Sequence, residues 1–186
     1  NPDGSVRRAF TAQIIINHFQ ARDGEKIDNM EQALERAVAN GVKQLVVQLT
    51  HLMHGAEYDE MCDAIDKVRD KFESVEIAEP MLGEVGNDAT VINADKEAVA
   101  KAVVAAALEE SGYEATAAAK DAGVAYVLMG HGTAHGAMVT HSQMATQMDK
   151  LGYENVFIGT VEGEPEDTSC EAVIAAVKEA GYTTVV

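Results

Sequence analysis

Cysteine and long apolar runs are scarce in this chain of 186 residues, and both absences exclude classes of protein. The two cysteines, Cys62 and Cys170, are too few for a disulfide framework or a cysteine-rich zinc site, and they favour a reducing compartment. The apolar runs fall far short of the roughly 18 residues that a membrane span needs. We therefore expect a cytoplasmic protein without a membrane partner, although the chain does not begin with Met and an export signal could have preceded it.

Basic residues are also in short supply. The chain has 14 Lys and Arg against 31 Asp and Glu, which gives a net charge of −17 at pH 7. This balance argues against a nucleic-acid partner, because phosphates need basic side chains to neutralise them, and against anionic membrane surfaces. It favours the attraction of metal cations.

Several motifs of nucleotide-dependent and hydrolytic enzymes are missing. No GxGxxG follows a predicted strand, and the chain has no GxxxxGK[ST], GxSxG, HExxH or CxxC. We therefore expect no nucleotide cofactor and no serine hydrolysis.

Strand-like and helix-like segments alternate along the chain, which predicts an α/β fold with parallel sheets flanked by helices. The predicted strands are 6–11, 45–49, 75–78, 124–129 and 156–161, and the predicted helices are 12–22, 29–40, 57–72, 95–111, 115–121, 135–151 and 169–180.

Three packing expectations follow from the side-chain patterns. The run 45–49 is apolar enough for a buried parallel strand. In helix 12–22, one side carries Ile14, Ile15, His18 and Phe19, which favours a half-buried His18. Six methionines are expected to fill core gaps, with a soft wall for a large flat ligand as the alternative: Met53, Met61, Met129, Met138, Met144 and Met148.

An internal repeat indicates two half-domains of similar plan. Segments 37–47 and 176–186 both read as a helix end, a glycine and a β-branched strand. We expect an N-terminal half over 1–93 that lacks its first strand and helix. We expect a C-terminal half over 94–186 that lacks its last strand-end loop. A minimal but complete variant is the alternative.

His131 is the strongest candidate for a metal ligand or a catalytic residue. It lies between Gly130 and Gly132, directly after the predicted strand 124–129. In parallel sheets, the residues that bind ligands lie at the carboxyl ends of the strands. Flanking glycines also let the backbone approach a ligand closely. An imidazole there suits a transition metal or a general base.

Other strand-end residues are weaker candidates. His135 could be a second ligand, a donor to a substrate carboxylate or a surface residue, whereas His141 is expected on the helix surface. Either His51 or His54 is expected to face the crevice. Glu162 directly follows strand 156–161, where a carboxylate can ligate a metal or accept a proton.

Four segments of the chain together resemble the anaerobic sirohydrochlorin cobaltochelatases, which are class II tetrapyrrole chelatases. The resemblance is carried in order by RRAFT (7–11), QLTH (48–51), HGAEY (54–58), and MGHGT (129–133) with His135. It implies two flavodoxin-like halves with a tetrapyrrole cleft between them. It also implies ATP-independent insertion of Co²⁺ into sirohydrochlorin during cobalamin biosynthesis.

The resemblance also implies roles for individual residues. The metal-site histidine of the family maps onto His131 and its glutamate onto Glu162, and both are expected to be catalytic. A further ligating histidine is expected in a loop beyond Val186. Apart from what the resemblance implies, we expect the substrate-binding residues to be His51, His54, Thr133, His135 and Arg7. Arg7 is included because Arg7-Arg8 is the only adjacent basic pair that could offset the carboxylates of sirohydrochlorin.

Two kinds of alternative remain open. The metal could be Fe²⁺ or Ni²⁺ in a chelatase acting on a related tetrapyrrole. The protein could instead bind metal or tetrapyrrole without turnover, and homo-oligomerisation is left open.

Overall fold

The computed structural model describes residues 5–186, which divide into two units. The first unit holds the described residues up to His51 together with Ala56–Ala78, and the second holds Leu52–Gly55 and Glu79–Val186. Within the described part of the chain, none of the helices has the length and apolar character needed to cross a bilayer.

The first unit is built from two pairs of parallel strands with three helices. Ala9–Phe10 (β1) pairs with Asp28–Asn29 (β2), and Gln44–Val47 (β3) pairs with Ser74–Ile77 (β4). The helices are Gln13–Asp23 (α1), Met30–Ala39 (α2) and Ala56–Asp66 (α3), and a 3₁₀ turn follows at Arg69–Lys71.

Helix α2 begins where its sequence specifies. The Asn29 side chain accepts from the Gln32 amide, and the Gln32 side chain accepts from the Asn29 amide, so two end donors are satisfied reciprocally. Leu34 on this helix packs with Met61 and Ile65 of α3 in the core of the unit. Ile65 is fully buried.

Two packing expectations in this unit are wrong. Strand β3 is half-buried with alternating exposure, and Val46 is 72% exposed, because one face of this short sheet packs on the core and the other is open. On α1 the buried residue is Ile16, whereas Ile14, Ile15 and His18 are exposed. The helix is rotated relative to the predicted side, so His18 contributes nothing to a core.

The second unit is a three-stranded parallel sheet flanked by helices. Val124–Gly130 (β5) lies between Val156–Thr160 (β6) and Thr184–Val185 (β7). The helices are Ala94–Ser111 (α4), Thr116–Asp121 (α5), Val139–Lys150 (α6) and Cys170–Glu179 (α7).

Side chains alternate across this sheet and define two apolar layers. Val124, Tyr126 and Leu128 face a core that includes α4 and α6 residues, whereas Ala125 packs with Val173 and Val177 of α7. Helices therefore cover both faces, and the α/β class with parallel sheets is confirmed.

A buried lysine organises the segment before α4. The Lys96 ammonium donates to the carbonyls of Leu82 (2.9 Å) and Glu84 (2.7 Å). Asn93 caps α4 and donates to the same two carbonyls. Burial lowers the pKa of Lys96, although the charges of Asp95 and Glu84 oppose that shift.

Element boundaries differ from expectation mainly where the backbone tightens into 3₁₀ turns. The predicted helix 57–72 ends at Asp66, and the predicted helix 135–151 begins as a 3₁₀ turn at Gly136–Met138 before α6. Strand β2 has only two residues and no alternating pattern, so the sequence did not predict it.

Ile65→Ala should lower the free energy of unfolding by about 2–5 kcal/mol, because it leaves a cavity in a closely packed core. Chemical denaturation followed by circular dichroism measures the change. Ile174→Ala is the matched control, since Ile174 is 53% exposed, and it should change stability little. Equal effects of the two substitutions would contradict the assigned core.

Candidate functional site

The loops that follow β5 and β6 form the candidate site. The two strands pair in parallel register from Tyr126 opposite Val156 to Gly130 opposite Thr160. Their carboxyl ends therefore meet at one edge of the sheet. His131 comes directly after β5, and Glu162 comes two residues after β6.

Backbone hydrogen bonds continue beyond the strands and hold the two loops together. The Val161 amide donates to the Gly130 carbonyl (3.0 Å), and the Glu162 amide donates to the His131 carbonyl (2.8 Å). The side chains of His131 and Glu162 thus start from adjacent, hydrogen-bonded backbone positions.

The two side chains approach each other in an exposed position. His131 Nε2 lies 3.9 Å from Glu162 Oε1, and the side chains are 82% and 56% exposed. One tetrahedral ion bound by both atoms would place them about 3.4 Å apart, from metal–ligand bonds of about 2.1 Å. A small rotation of the exposed Glu162 side chain achieves that spacing.

The tautomer of His131 suits metal binding. Its Nδ1 lies 3.2 Å from the Gly132 carbonyl oxygen. A carbonyl can only accept, so Nδ1 carries the proton and donates it. The lone pair is then on Nε2, which is the atom that faces Glu162, and a backbone acceptor on the other ring nitrogen is a usual support for a ligating histidine.

Gly132 is required by both backbone conformation and space. Its φ is +90°, a region that side chains disfavour. A Cβ there would lie 3.0 Å from the Cβ atoms of Glu162 and Thr160 and 3.2 Å from the Glu164 carbonyl oxygen. The absence of a side chain lets the two loops come close enough for His131 to reach Glu162.

Buried hydroxyl groups anchor the loop that carries Glu162. Thr160 Oγ1 lies 2.7 Å from Thr168 Oγ1, and the Thr168 hydroxyl donates to the Pro165 carbonyl at 2.6 Å. Because each hydroxyl has one proton, Thr160 donates to Thr168 and Thr168 donates to Pro165. This chain of bonds ties the end of β6 to the far side of the loop.

Thr133 and His135 shape the turn that follows His131. The His135 amide donates to Thr133 Oγ1 (3.1 Å), and the Ala137 amide donates to His135 Nδ1 (3.1 Å). His135 therefore caps the 3₁₀ turn at Gly136–Met138, and its Nε2 carries the proton. As a donor, that nitrogen suits a carboxylate oxygen better than a metal ion.

His141 is buried, so its expected position on the helix surface is wrong. It lies on the inner side of α6, 5% exposed, and a Cβ at Gly130 would meet its ring at 2.9 Å. Burial lowers the pKa of His141, which keeps the ring neutral. The glycine before His131 thus makes room for a second histidine beneath the loop.

The remaining predicted site residues lie elsewhere in the two units. Arg7 is exposed and precedes β1, and His51 is half-buried with a buried Nδ1 that has no partner among the described residues. His54 Nε2 lies 2.7 Å from Glu79 Oε2. Sequence reasoning missed Glu79, although it stands two residues beyond β4 as Glu162 stands beyond β6.

The methionines divide into two groups. Met61, Met144 and Met148 are core residues, as expected, and Met53 is half-buried. Met129 and Met138 are 51% and 37% exposed, so core filling does not describe them.

Within residues 5–186, the structure places no three His, Cys, Asp or Glu side chains in an arrangement able to hold a metal ion. His131 and Glu162 supply two donors, an imidazole nitrogen and a carboxylate oxygen. This donor set suits Co²⁺, Fe²⁺, Ni²⁺ or Zn²⁺ better than Mg²⁺ or Ca²⁺, which take oxygen ligands.

Comparison with known proteins gives one consistent result. The family model for cobalt chelatase (CbiK) matches residues 1–186. The sirohydrochlorin cobaltochelatase of Salmonella typhimurium is 25% identical over 184 residues, which cover 99% of this chain and 61% of that protein. The sirohydrochlorin cobaltochelatase CbiKC of Nitratidesulfovibrio vulgaris is 28% identical over 164 residues, 87% of this chain and 51% of that protein. The chain therefore spans about half to three-fifths of these curated relatives.

Gly132→Ala should separate the two loops, because the new Cβ meets Glu162 and Thr160 and the φ of +90° disfavours alanine. We expect lower thermal stability and weaker Co²⁺ binding, measured by calorimetric titration. Gly136→Ala is the control, since a Cβ there meets nothing within 4 Å. If Gly132→Ala bound Co²⁺ as tightly as Gly136→Ala, the close approach of the loops would be irrelevant to the site.

Proposed function

Since the chain belongs to the cobalt chelatase (CbiK) family, we propose that it carries out ATP-independent insertion of Co²⁺ into sirohydrochlorin, a step of cobalamin biosynthesis. The observation that carries the proposal is the juxtaposition of His131 and Glu162 at the carboxyl ends of two paired strands. Both relatives named above are sirohydrochlorin cobaltochelatases, which supports the choice of metal and tetrapyrrole.

Insertion exchanges one cation for two protons. Co²⁺ must lose water ligands, and two pyrrole N–H groups of the macrocycle must lose their protons as four nitrogens bind the metal. His131 Nε2, whose lone pair is exposed, takes the place of a water on the incoming Co²⁺. The metal in this reaction is a substrate that leaves with the product.

Glu162 has two parts in this proposal. Its carboxylate offsets charge on the cation held by His131, and it accepts the two protons released by the macrocycle one after the other. With 56% of its side chain exposed, it can pass each proton to water before it accepts the next. The carboxylate returns to its ionised form for the next cycle.

Binding of the macrocycle has to overcome the net charge of −17, because sirohydrochlorin is itself a polycarboxylate. Local donors must therefore meet its carboxylates. Arg7 is exposed, whereas Arg8 pairs with Glu25 and lies over the Phe10 ring. We propose Arg7 as the basic contact, and His135 with its Nε2 proton as a further donor.

The remaining substrate contacts are proposed on position alone. Thr133 shapes the loop beside His131, and its hydroxyl can also donate to a carboxylate. His51 and His54 follow β3, and the half-buried ring of each is suited to a contact with the edge of a macrocycle.

Binding without turnover is the second candidate, and the presence of only two donors around His131 in the described chain favours it. The two functions differ in a simple observable. A chelatase releases metallated product over many turnovers, whereas a binding protein gives at most one equivalent. Parallel assays with Fe²⁺ and Ni²⁺ identify the preferred metal.

His131→Ala should reduce the rate of Co²⁺ insertion at least tenfold, since loss of a metal-supporting group costs roughly 10–100-fold in affinity or activity. The rate is measured from the change in sirohydrochlorin absorbance with CoCl₂. His18→Ala, at an exposed histidine of α1, is the control. A rate for His131→Ala within about threefold of the control would show that the site is wrongly assigned.

Glu162→Gln should impair insertion while leaving the melting temperature unchanged, because the side chain is exposed and only its charge and basicity are removed. Glu166→Gln, an exposed carboxylate in the same loop, is the matched control for charge. Equal rates for the two variants would remove Glu162 from the mechanism.

A further inference from the structure

A second histidine–carboxylate pair lies outside the His131 site. His54 Nε2 and Glu79 Oε2 are 2.7 Å apart, and both residues belong to the second unit. The His54 side chain is 26% exposed and that of Glu79 is 65% exposed, so the pair is open to solvent on the carboxylate side.

The carboxylate of this pair occupies the same position relative to its strand as Glu162 does, although His54 lies seven residues beyond β3 and His131 directly follows β5. Strands β3 and β4 run parallel with Val47 opposite Ile77, and the Ala78 amide donates to the Val47 carbonyl at 2.9 Å. Glu79 is then the second residue beyond its strand, as Glu162 is beyond Thr160. In both cases the histidine comes from the loop that follows the adjacent strand.

The spacing of the two atoms suits a shared cation. Two donors bound at about 2.1 Å to one tetrahedral ion stand about 3.4 Å apart. The separation in the structure is 2.7 Å, so a cation that enters between Nε2 and Oε2 has to part them by about 0.7 Å. The exposed Glu79 side chain can supply that movement.

The chemistry of the donors also selects the ligand. Imidazole nitrogen with a carboxylate oxygen suits a first-row transition metal, with water completing the coordination. The net charge of −17 draws cations toward the surface in general, but only a donor pair at fixed spacing holds one in place.

We propose that His54 and Glu79 form a second divalent-cation site, which binds a first-row transition metal ion such as Co²⁺ independently of His131. The site loads when the hydrogen bond between imidazole and carboxylate is replaced by two metal–ligand bonds. The neutral ring keeps one proton, which moves from Nε2 to Nδ1 through water and leaves the Nε2 lone pair for the metal. The inference does not require the insertion reaction, because cation binding is measured without a tetrapyrrole.

The test is a calorimetric titration of the full chain with CoCl₂ in the His131→Ala background, where the first site is disabled. We expect one remaining Co²⁺ equivalent, and adding Glu79→Gln should weaken it at least tenfold. Adding Glu76→Gln is the matched control, since it removes the same charge from an exposed residue three positions earlier, and it should change the affinity less than twofold.

A second substitution separates ligation from charge. Glu79→His removes the negative charge but restores a metal ligand, so it should recover binding that Glu79→Gln loses. Melting temperatures of all variants establish that each is folded. Equal affinities for Glu79→Gln and Glu76→Gln, or failure of Glu79→His to recover binding in a folded protein, would overturn the proposal.

The outcome is separable from that of the proposed function. Loss of the remaining Co²⁺ in Glu79→Gln, with normal insertion activity, would support a second site whose metal the reaction does not need, and the His54 ring would stay available as a contact for the macrocycle. Absence of insertion activity in the parent chain would refute the proposed reaction while leaving the titration result intact.

Discussion

The parallel register between β5 and β6 is the constraint on which the candidate site depends. Pairing of Gly130 with Thr160 brings the two carboxyl ends to the same level, and two further backbone hydrogen bonds carry the pairing into the loops. A histidine one residue beyond one strand and a glutamate two residues beyond the other are then brought within 3.9 Å. A shift of one residue in either strand would turn one of these side chains to the opposite face.

A glycine and buried hydroxyl groups let the loops after β5 and β6 come close enough to form the candidate site. Gly132 removes the side chain that would hold the loops apart, and its carbonyl fixes the tautomer of His131. The chain of hydroxyl bonds from Thr160 through Thr168 holds the Glu162 loop from beneath. The candidate donor atoms of His131 and Glu162 are therefore exposed, whereas the groups that position them are buried or belong to the backbone.

Sequence patterns predicted the α/β class, the order of the seven α-helices found in residues 5–186 and the strand-end placement of His131 and Glu162, because these follow from local periodicity and from glycine. They did not predict contacts that depend on tertiary packing. The burial of His141 depends on the space left by Gly130, and the pairing of His54 with Glu79 depends on the register of β3 with β4. Strand β3 is as apolar as a buried strand, yet its exposure depends on how many layers cover the sheet, which no local pattern encodes.

The central claim is that His131 Nε2 is the atom that receives the cation. Anomalous scattering at the cobalt absorption edge, from crystals of the protein soaked in CoCl₂, tests it most directly. The account predicts a cobalt peak about 2.1 Å from His131 Nε2, with Glu162 Oε1 or water as a further ligand. Cobalt peaks at other places on the protein, without a peak beside His131, would contradict this claim.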